Sequence, residues 1–207
     1  MISSSQLQSL GNGKRAVGKT TLCQVLFNKP EVQADLLPRI WVCMSWKPTG
    51  YGDRMTTTIS RMLICLGIDD KTIQSISGSI PKADCLKRLL YALHLQLTGK
   101  KYLIVLDDAI KGDDAFKKRN KWLANLGSPI TEKEKWGECL AFGLPKGHGG
   151  TIIVMSRDEK LAKMMVGEKN LLHLPPLLDP KSCDAIFNDH IKDEQKLEKD
   201  LEKKKFL

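Results

Sequence analysis

Residues 13–20 read Gly-Lys-Arg-Ala-Val-Gly-Lys-Thr, which is the most informative segment of the sequence. The pattern G-x-x-x-x-G-K-[ST] is typical of a loop that binds phosphate groups. Gly13 and Gly18 let the backbone turn so that successive N–H groups face a polyphosphate. Lys19 supplies a cation for the phosphates, and the hydroxyl of Thr20 is a hard oxygen ligand suited to Mg²⁺. The apolar run at residues 21–27 predicts a helix whose positive end points at the phosphates.

The loop pattern alone leaves a second interpretation open, which is a glycine-bearing turn before an ordinary helix. Two features of the sequence favour that interpretation. Residues 3–10, where a buried strand should precede the loop, hold many serines and few β-branched residues. Arg15 and Ala16 stand inside the loop, where a tight anion-binding turn favours glycine.

The composition bounds the class of protein. A chain of 207 residues, 42% hydrophobic and 28% charged, corresponds to one ordinary globular domain with at most a small appendage. Its formal charge of +9 suits anionic partners, but the basic residues are spread along the chain, so we expect no specific nucleic-acid partner. The six cysteines occur singly, which indicates a reduced, cytoplasmic protein without a zinc site. We find no signal-peptide pattern and no apolar run of transmembrane length.

A second informative stretch lies at residues 100–108, Lys-Lys-Tyr-Leu-Ile-Val-Leu-Asp-Asp. Its five apolar residues predict a fully buried strand that ends at two carboxylates, Asp107 and Asp108. In an open α/β sheet the ligand crevice lies at this edge, where one carboxylate can hold Mg²⁺ on phosphates. The adjacent carboxylate can orient a water for attack on a γ-phosphate. The alternative is a strand that ends in a turn-forming aspartate pair.

A third strand-like run, residues 151–155, ends at Ser156 and Arg157. An arginine at this end of a buried strand lies on the same sheet edge as Asp107 and could reach a γ-phosphate. The alternative is a surface salt bridge from Arg157 to Asp158 or Glu159.

The remaining periodicities predict a series of helices, strands and loops. In chain order they are a strand over 39–46 buried on both faces, a helix over 57–66 closed by Gly67, a polar loop at 75–79, a helix over 81–97, a short basic helix within 113–127, a loop over 128–150, a helix over 158–166, a strand at 171–174 and a helical tail over 181–207.

The order of these segments resembles the NB-ARC nucleotide-binding domain of plant intracellular immune receptors, the nucleotide-binding leucine-rich-repeat (NLR) disease resistance proteins. The resemblance covers nearly the whole chain, and five motifs in order are far more specific than one. The matching segments are residues 13–22 (the phosphate loop), 39–45 (the next strand), 102–108 (the Walker B strand), 150–157 (similar to G-x-x-I-I-V-T-T-R) and 174–187 (the exit from the nucleotide-binding lobe).

The resemblance implies an α/β fold, a doubly wound, mainly parallel five-stranded sheet with helices on both faces, of the P-loop NTPase class known as STAND. It implies a lobe over residues 1–180, followed by an exit helix over 181–207 that begins the next helical subdomain. The family is a switch held by ADP and released by ATP, usually a slow Mg²⁺-dependent ATPase coupled to defence signalling. Carried over by position, the phosphate-binding residues are Gly13, Val17, Gly18, Lys19 (β- and γ-phosphates), Thr20 and Thr21 (α-phosphate), the Mg²⁺ ligands are Thr20 and Asp107, and the catalytic residues are Asp108 (hydrolytic water) and Arg157 (γ-phosphate).

The sequence also departs from the family pattern. Arg15 and Ala16 replace two loop glycines, Ser156 replaces a threonine, and Asp184 stands where tryptophan is usual. The chain ends before any G-L-P-L or M-H-D segment, so we expect an isolated lobe from a truncated receptor gene, or a fragment of one. Two alternatives to a nucleotide switch remain: an interaction module that binds nucleotide poorly and pairs with full-length receptors, and a P-loop enzyme of another class.

Overall fold

A computed structural model describes residues 7–11, 18–44, 54–78, 82–109, 122–126 and 139–173 of the chain. Within these ranges, no helix combines the length and apolar character needed to cross a bilayer. The elements in chain order are β1 (Leu7–Gly11), α1 (Lys19–Asn28), α2 (Pro30–Asp35), β2 (Arg39–Cys43), α3 (Arg54–Cys65), α4 (Asp70–Ser77), α5 (Lys82–Leu97), β3 (Leu103–Ala109), a 3₁₀ turn (Leu140–Gly143), β4 (Thr151–Ser156), α6 (Glu159–Val166), a second 3₁₀ turn (Glu168–Asn170) and β5 (Leu171–His173).

The five strands form one sheet in the order β2-β3-β4-β1-β5, and every neighbouring pair is parallel. Helices cover both faces. On one face α3 to α6 enclose the larger core cluster, and on the other α1 and α2 enclose a smaller cluster. β3 and β4 contribute residues to both clusters, so both of their faces are buried. This burial on two faces explains their continuous apolar runs. The predicted fold class, a doubly wound parallel sheet with helices on both faces, is confirmed.

The strand before the phosphate loop is intact, contrary to the expectation of a degraded strand. Leu7 to Leu10 of β1 pair with Ile152 to Met155 of β4, and the other side of β1 pairs with β5. Hydrogen bonds from two neighbouring strands hold this segment extended although it contains no β-branched or aromatic residue. The prediction was wrong because the hydrogen bonds of β1 to β4 and β5 outweigh its low strand propensity. Local sequence does not reveal which strands will pair.

The strand predicted over residues 39–46 to be buried on both faces is instead a half-buried edge strand. It spans Arg39–Cys43, with Ile40 and Val42 buried and the alternate residues only partly covered. An edge strand has one neighbour, and the short helices α1 and α2 leave its second face partly open. Composition alone does not distinguish this case from a central strand.

The polar loop predicted at residues 75–79 is wrong, because α4 extends through Ser77. The Asp69 carboxylate caps this helix by accepting the Thr72 N–H at 2.9 Å, and Ile73 anchors it in the core.

The helix predicted over 57–66 begins three residues earlier, and Gly67 at φ 89° follows it. The helix predicted over 81–97 is observed as α5, with its predicted apolar face buried: Leu86, Leu89, Leu90, Leu93 and Leu97.

The helix predicted over 158–166 is α6, and the strand predicted at 171–174 is β5, so both predictions are confirmed. Of the predicted basic helix, residues 122–126 are described, and Trp122, Leu123 and Leu126 are buried in the larger cluster. The predicted loop over 128–150 contains a buried 3₁₀ turn in its described part. Asp184, the predicted exit helix and the predicted tail over 181–207 lie outside the described residues.

Candidate nucleotide-binding site

The residue just before α1 has a backbone conformation that favours glycine. Gly18 adopts a left-handed conformation, with φ 72° and ψ 15°, where a side chain would be strained. Helix α1 begins at Lys19, two residues before the predicted apolar run, and no side chain of the described residues caps it. Its first N–H groups therefore suit an anion. Thr21 lies half-buried in the first turn, whereas Gly13 and Val17 lie outside the described residues.

Regular alternation along β3 places Asp107 on the α1 side of the sheet, and an irregularity at the end of the strand changes the backbone at Asp108. Successive residues of a regular strand face opposite sides. The β3–β4 register shifts between Leu106 and Ala109, and Asp108 lies between them in a left-handed conformation with φ 51°. Aspartate tolerates this conformation better than most residues. Asp107 contacts α1 through Thr20, and Asp108 pairs with Arg157, the residue after β4.

The carboxylate of Asp107 accepts hydrogen bonds from the Thr20 hydroxyl, the Trp41 indole and the backbone N–H of Asp108. Burial raises the pKa of Asp107 above its usual value, and these hydrogen bonds only partly oppose that effect. Thr20 and Asp107 thus place two hard oxygen atoms in contact, within reach of one cation. This donor set fits Mg²⁺, which is commonly bound by one or two protein oxygens together with phosphates.

Arg157 lies at the same edge and pairs with Asp108, with 3.6 Å between Nη2 and Oδ1. The arginine side chain is 53% exposed and that of Asp108 is 25% exposed, so the pair borders solvent. Arg157 therefore lies at the predicted edge of the sheet, and the two residues considered as alternative partners have contacts of their own. Asp158 caps α6 through the Leu161 N–H at 3.0 Å, and Glu159 pairs with Lys163 at 3.2 Å.

Lys19 and Arg157 are two cations that interact electrostatically. Burial lowers the pKa of Lys19, repulsion from Arg157 lowers it further, and attraction to Asp108 partly offsets both effects. Two cations from distant parts of the sequence are therefore close enough to repel each other. An anion bound between them would relieve this repulsion, which is the electrostatic requirement of a phosphate site.

Two residues of the site were missed by sequence reasoning. Ser156 is buried; its hydroxyl donates to the Ala109 carbonyl at 2.6 Å and accepts the Asp158 N–H at 3.0 Å, which joins the ends of β3 and β4 to the start of α6. Trp41 is the indole donor to Asp107. Only the strand register reveals these contacts, and the sequence carries no direct signal of that register.

A parallel sheet covered on both faces, a left-handed glycine before the first helix and an aspartate pair beside it define a P-loop nucleotide-binding domain. Comparison with protein families identifies the particular kind. The model of the NB-ARC domain matches residues 5–124, more than half of the chain. The chain belongs to the NB-ARC domain family, a family of nucleotide-binding P-loop domains of the STAND class. The resemblance found in the sequence is thereby confirmed.

Curated proteins similar to the chain carry related names. It is 38% identical to the probable disease resistance protein At5g45490 of Arabidopsis thaliana, over 89% of this chain and 57% of that protein. It is 40% identical to the probable disease resistance protein At4g19060 of the same plant, over 86% of this chain and 49% of that protein. Disease resistance RPP13-like protein 4, also of A. thaliana, is 30% identical over 84% of this chain and 16% of its own length. The chain spans about half the length of the first two relatives.

Proposed function

We propose that the chain binds ADP and ATP with Mg²⁺ and is the nucleotide switch lobe of a plant immune receptor, acting in the cytoplasm with slow or absent ATP hydrolysis. Its place in the NB-ARC family and its similarity to disease resistance proteins support the proposal. Its partners would then be an adenine nucleotide and other receptor domains or NLR chains.

The observation that carries this proposal is the convergence of three separate segments on one edge of the sheet. The start of α1 supplies Lys19 and Thr20, the end of β3 supplies the aspartate pair, and the end of β4 leads to Arg157. Two cations and two oxygen ligands at one helix start match the charges of a Mg²⁺-bound polyphosphate.

Each described residue has a distinct role in this proposal. Lys19 binds the β- and γ-phosphates, and Thr21 binds the α-phosphate. Thr20 and Asp107 hold Mg²⁺, which when bound neutralises charge on the phosphate oxygens. Asp108 orients a water, and Arg157 contacts the γ-phosphate.

The ion pair between Asp108 and Arg157 supports slow hydrolysis. Each partner is proposed to serve the γ-phosphate, yet each is engaged by the other, with 3.6 Å between the charged atoms. Arg157 would have to leave Asp108 before it could contact the phosphate. Separating two charges at a partly exposed site lowers the gain from the new contact.

The proposal is tested by titrating the purified chain with a fluorescent ADP analogue in the presence of Mg²⁺. Lys19→Ala should abolish binding because the cation aimed at the β-phosphate is removed. Lys29→Ala is the matched control, since Lys29 is an exposed lysine just past the other end of α1. Binding that survives Lys19→Ala unaltered would contradict the proposed site.

The second candidate function is an interaction module that binds nucleotide poorly and pairs with full-length receptors. The observation that favours it is the replacement of loop glycines by Arg15 and Ala16, whose side chains would crowd the phosphates. If the folded wild-type chain and Lys19→Ala both fail to bind ADP and ATP, this second function is favoured over the first.

A further inference from the structure

The indole of Trp41, on β2, donates a hydrogen bond to the carboxylate of Asp107, on the neighbouring β3. The strand register explains this contact. Cys43 pairs with Asp107 and Trp41 pairs with Val105, so the Trp41 and Asp107 side chains lie on the same face of the sheet, two residues apart along the strands. This is the face covered by α1, the helix that supplies Thr20.

The indole is held in position by a chain of contacts that begins away from the site. The Trp41 ring packs edge-to-face on Phe27, with 5.4 Å between the ring centroids and 83° between the planes. The Arg39 guanidinium lies 4.7 Å from the Phe27 ring centroid, and Nη1 donates to the Phe27 carbonyl in the last turn of α1. Trp41 therefore presents its N–H from a packed framework that spans β2 and α1.

The surroundings of Asp107 make this donor important. The carboxylate lies beside the buried Cys23, where burial and the nearby Asp107 together raise the pKa of the thiol to about 12. Asp107 is partly buried, and a partly buried carboxylate relies on hydrogen bonds from the protein to keep its charge and orientation. The Thr20 hydroxyl can donate to the carboxylate or turn a lone pair to a metal, whereas an indole N–H can only donate.

We propose that Trp41 is a positioning residue for Mg²⁺: its indole N–H fixes the Asp107 carboxylate so that Asp107 and Thr20 bind the cation together with nucleotide phosphates. This inference rests on the proposed function of the same site. Trp41 does not touch the metal or the nucleotide. Its effect passes through Asp107, as is common for the hydrogen-bonding partners of metal ligands.

The experiment compares nucleotide affinity with Mg²⁺ and with EDTA, so that the gain due to Mg²⁺ is measured separately. Trp41→Phe keeps an aromatic ring and removes the N–H. We expect it to reduce the gain from Mg²⁺ by about 10-fold or more while leaving the affinity in EDTA unchanged. Trp122→Phe is the matched control, because Trp122 is buried in the other core cluster and its indole nitrogen has no hydrogen-bond partner within the described part of the chain.

A second readout does not need nucleotide. The chain has four tryptophans, whose indole N–H resonances are separable by heteronuclear NMR. Asp107→Ala should shift the Trp41 resonance and leave that of Trp122 in place. This measurement also covers the case in which Trp41→Phe does not fold.

The possible outcomes separate the two proposals. An unchanged gain from Mg²⁺ in folded Trp41→Phe, or an unmoved Trp41 resonance in Asp107→Ala, overturns the role of Trp41 and leaves the proposed function standing. A folded wild-type chain that binds no nucleotide under either condition overturns the proposed function and the role of Trp41 with it. A Mg²⁺ gain lost in Trp41→Phe and kept in Trp122→Phe supports both.

Discussion

At the scale of the residue, one buried hydroxyl joins the strand ends at the candidate site, and one glycine permits close packing at the opposite edge of the sheet. The site edge is built from segments far apart in the sequence, so each contact between them carries part of its geometry. Ser156 joins β3, β4 and α6 through one buried hydroxyl. Gly150, just before β4, leaves room for a buried aromatic ring. Substitutions at these two positions should change the stability of the chain, which can be measured without knowing the ligand.

Ser156→Ala should destabilise the chain by about 1–3 kcal/mol, because the Ala109 carbonyl loses its donor and the Asp158 N–H loses an acceptor. Chemical denaturation measures the change in the free energy of unfolding. Ser75→Ala is the control, since that hydroxyl is exposed and donates within its own helix, to the Thr72 carbonyl. Equal stability of the two variants would contradict the joining role of Ser156.

Gly150→Ala should cost about 1–3 kcal/mol because of overpacking. An added Cβ would lie 2.4 Å from Cζ of Tyr102, whose hydroxyl donates to the Pro145 carbonyl at 2.8 Å and restrains the ring. The same substitution made together with Tyr102→Leu should cost less than the sum of the two single changes. Strict additivity in thermal or chemical denaturation would show that the ring is not the obstacle.

Helix caps and strand pairing decide where the elements begin and end. α4 begins at an aspartate cap, as α6 does, and both helices have an amphipathic pattern. The cap of α4 is an exposed aspartate, so its contribution to stability changes as the carboxylate titrates. The pKa of Asp69 is lowered, chiefly by the Thr72 backbone N–H and then by the Thr72 hydroxyl.

Asp69→Asn tests this cap, because asparagine caps a helix without titrating near pH 4. The pKa of Asp69 is lower in the folded chain than in the unfolded one. The stabilisation from its charge is therefore present above the unfolded pKa, about 4, and is lost as the pH falls through the folded value. The stability of the wild type relative to Asp69→Asn should fall over that range. A difference in melting temperature that does not change with pH would contradict the assignment.

The elements that the sequence predicted well are those whose pattern matches their burial. β3 and β4 are central strands with continuous apolar runs, and α5 carries one clear apolar face, so composition and periodicity sufficed. β1 was judged too polar because its order comes from pairing with β4 and β5. α4 was read as a loop over 75–79 because its polar residues concealed the cap at Asp69 and the single buried anchor, Ile73.

The candidate site was predictable as a list of residues but not as a geometry. Spacing and resemblance named Lys19, Thr20, Asp107, Asp108 and Arg157, and the parallel sheet brings all five to one edge. The irregularity at Asp108, beside its partner Arg157, is a feature of β3 pairing with β4. Trp41 depends on the register of β2 and β3, and neither register can be derived from local pattern.

At the scale of the molecule, the two larger core clusters of the described residues meet at β3 and β4, and the candidate site lies where those strands end. A ligand bound there would contact the start of α1, which packs on the smaller cluster. It would also contact the ends of β3 and β4, which both clusters hold in place. Binding to the folded chain alone should therefore stabilise the whole sheet against unfolding.

The most direct test is the melting temperature of the purified chain with and without Mg²⁺-ADP and Mg²⁺-ATP. At about 100 times the dissociation constant, binding to the folded state adds about 2.7 kcal/mol, which corresponds to a rise of roughly 5–10 °C for a chain of this size. We predict that rise for the wild type and its loss in Lys19→Ala. A cooperative transition that stays at the same temperature with either nucleotide would contradict the claim that this edge of the sheet is a nucleotide site.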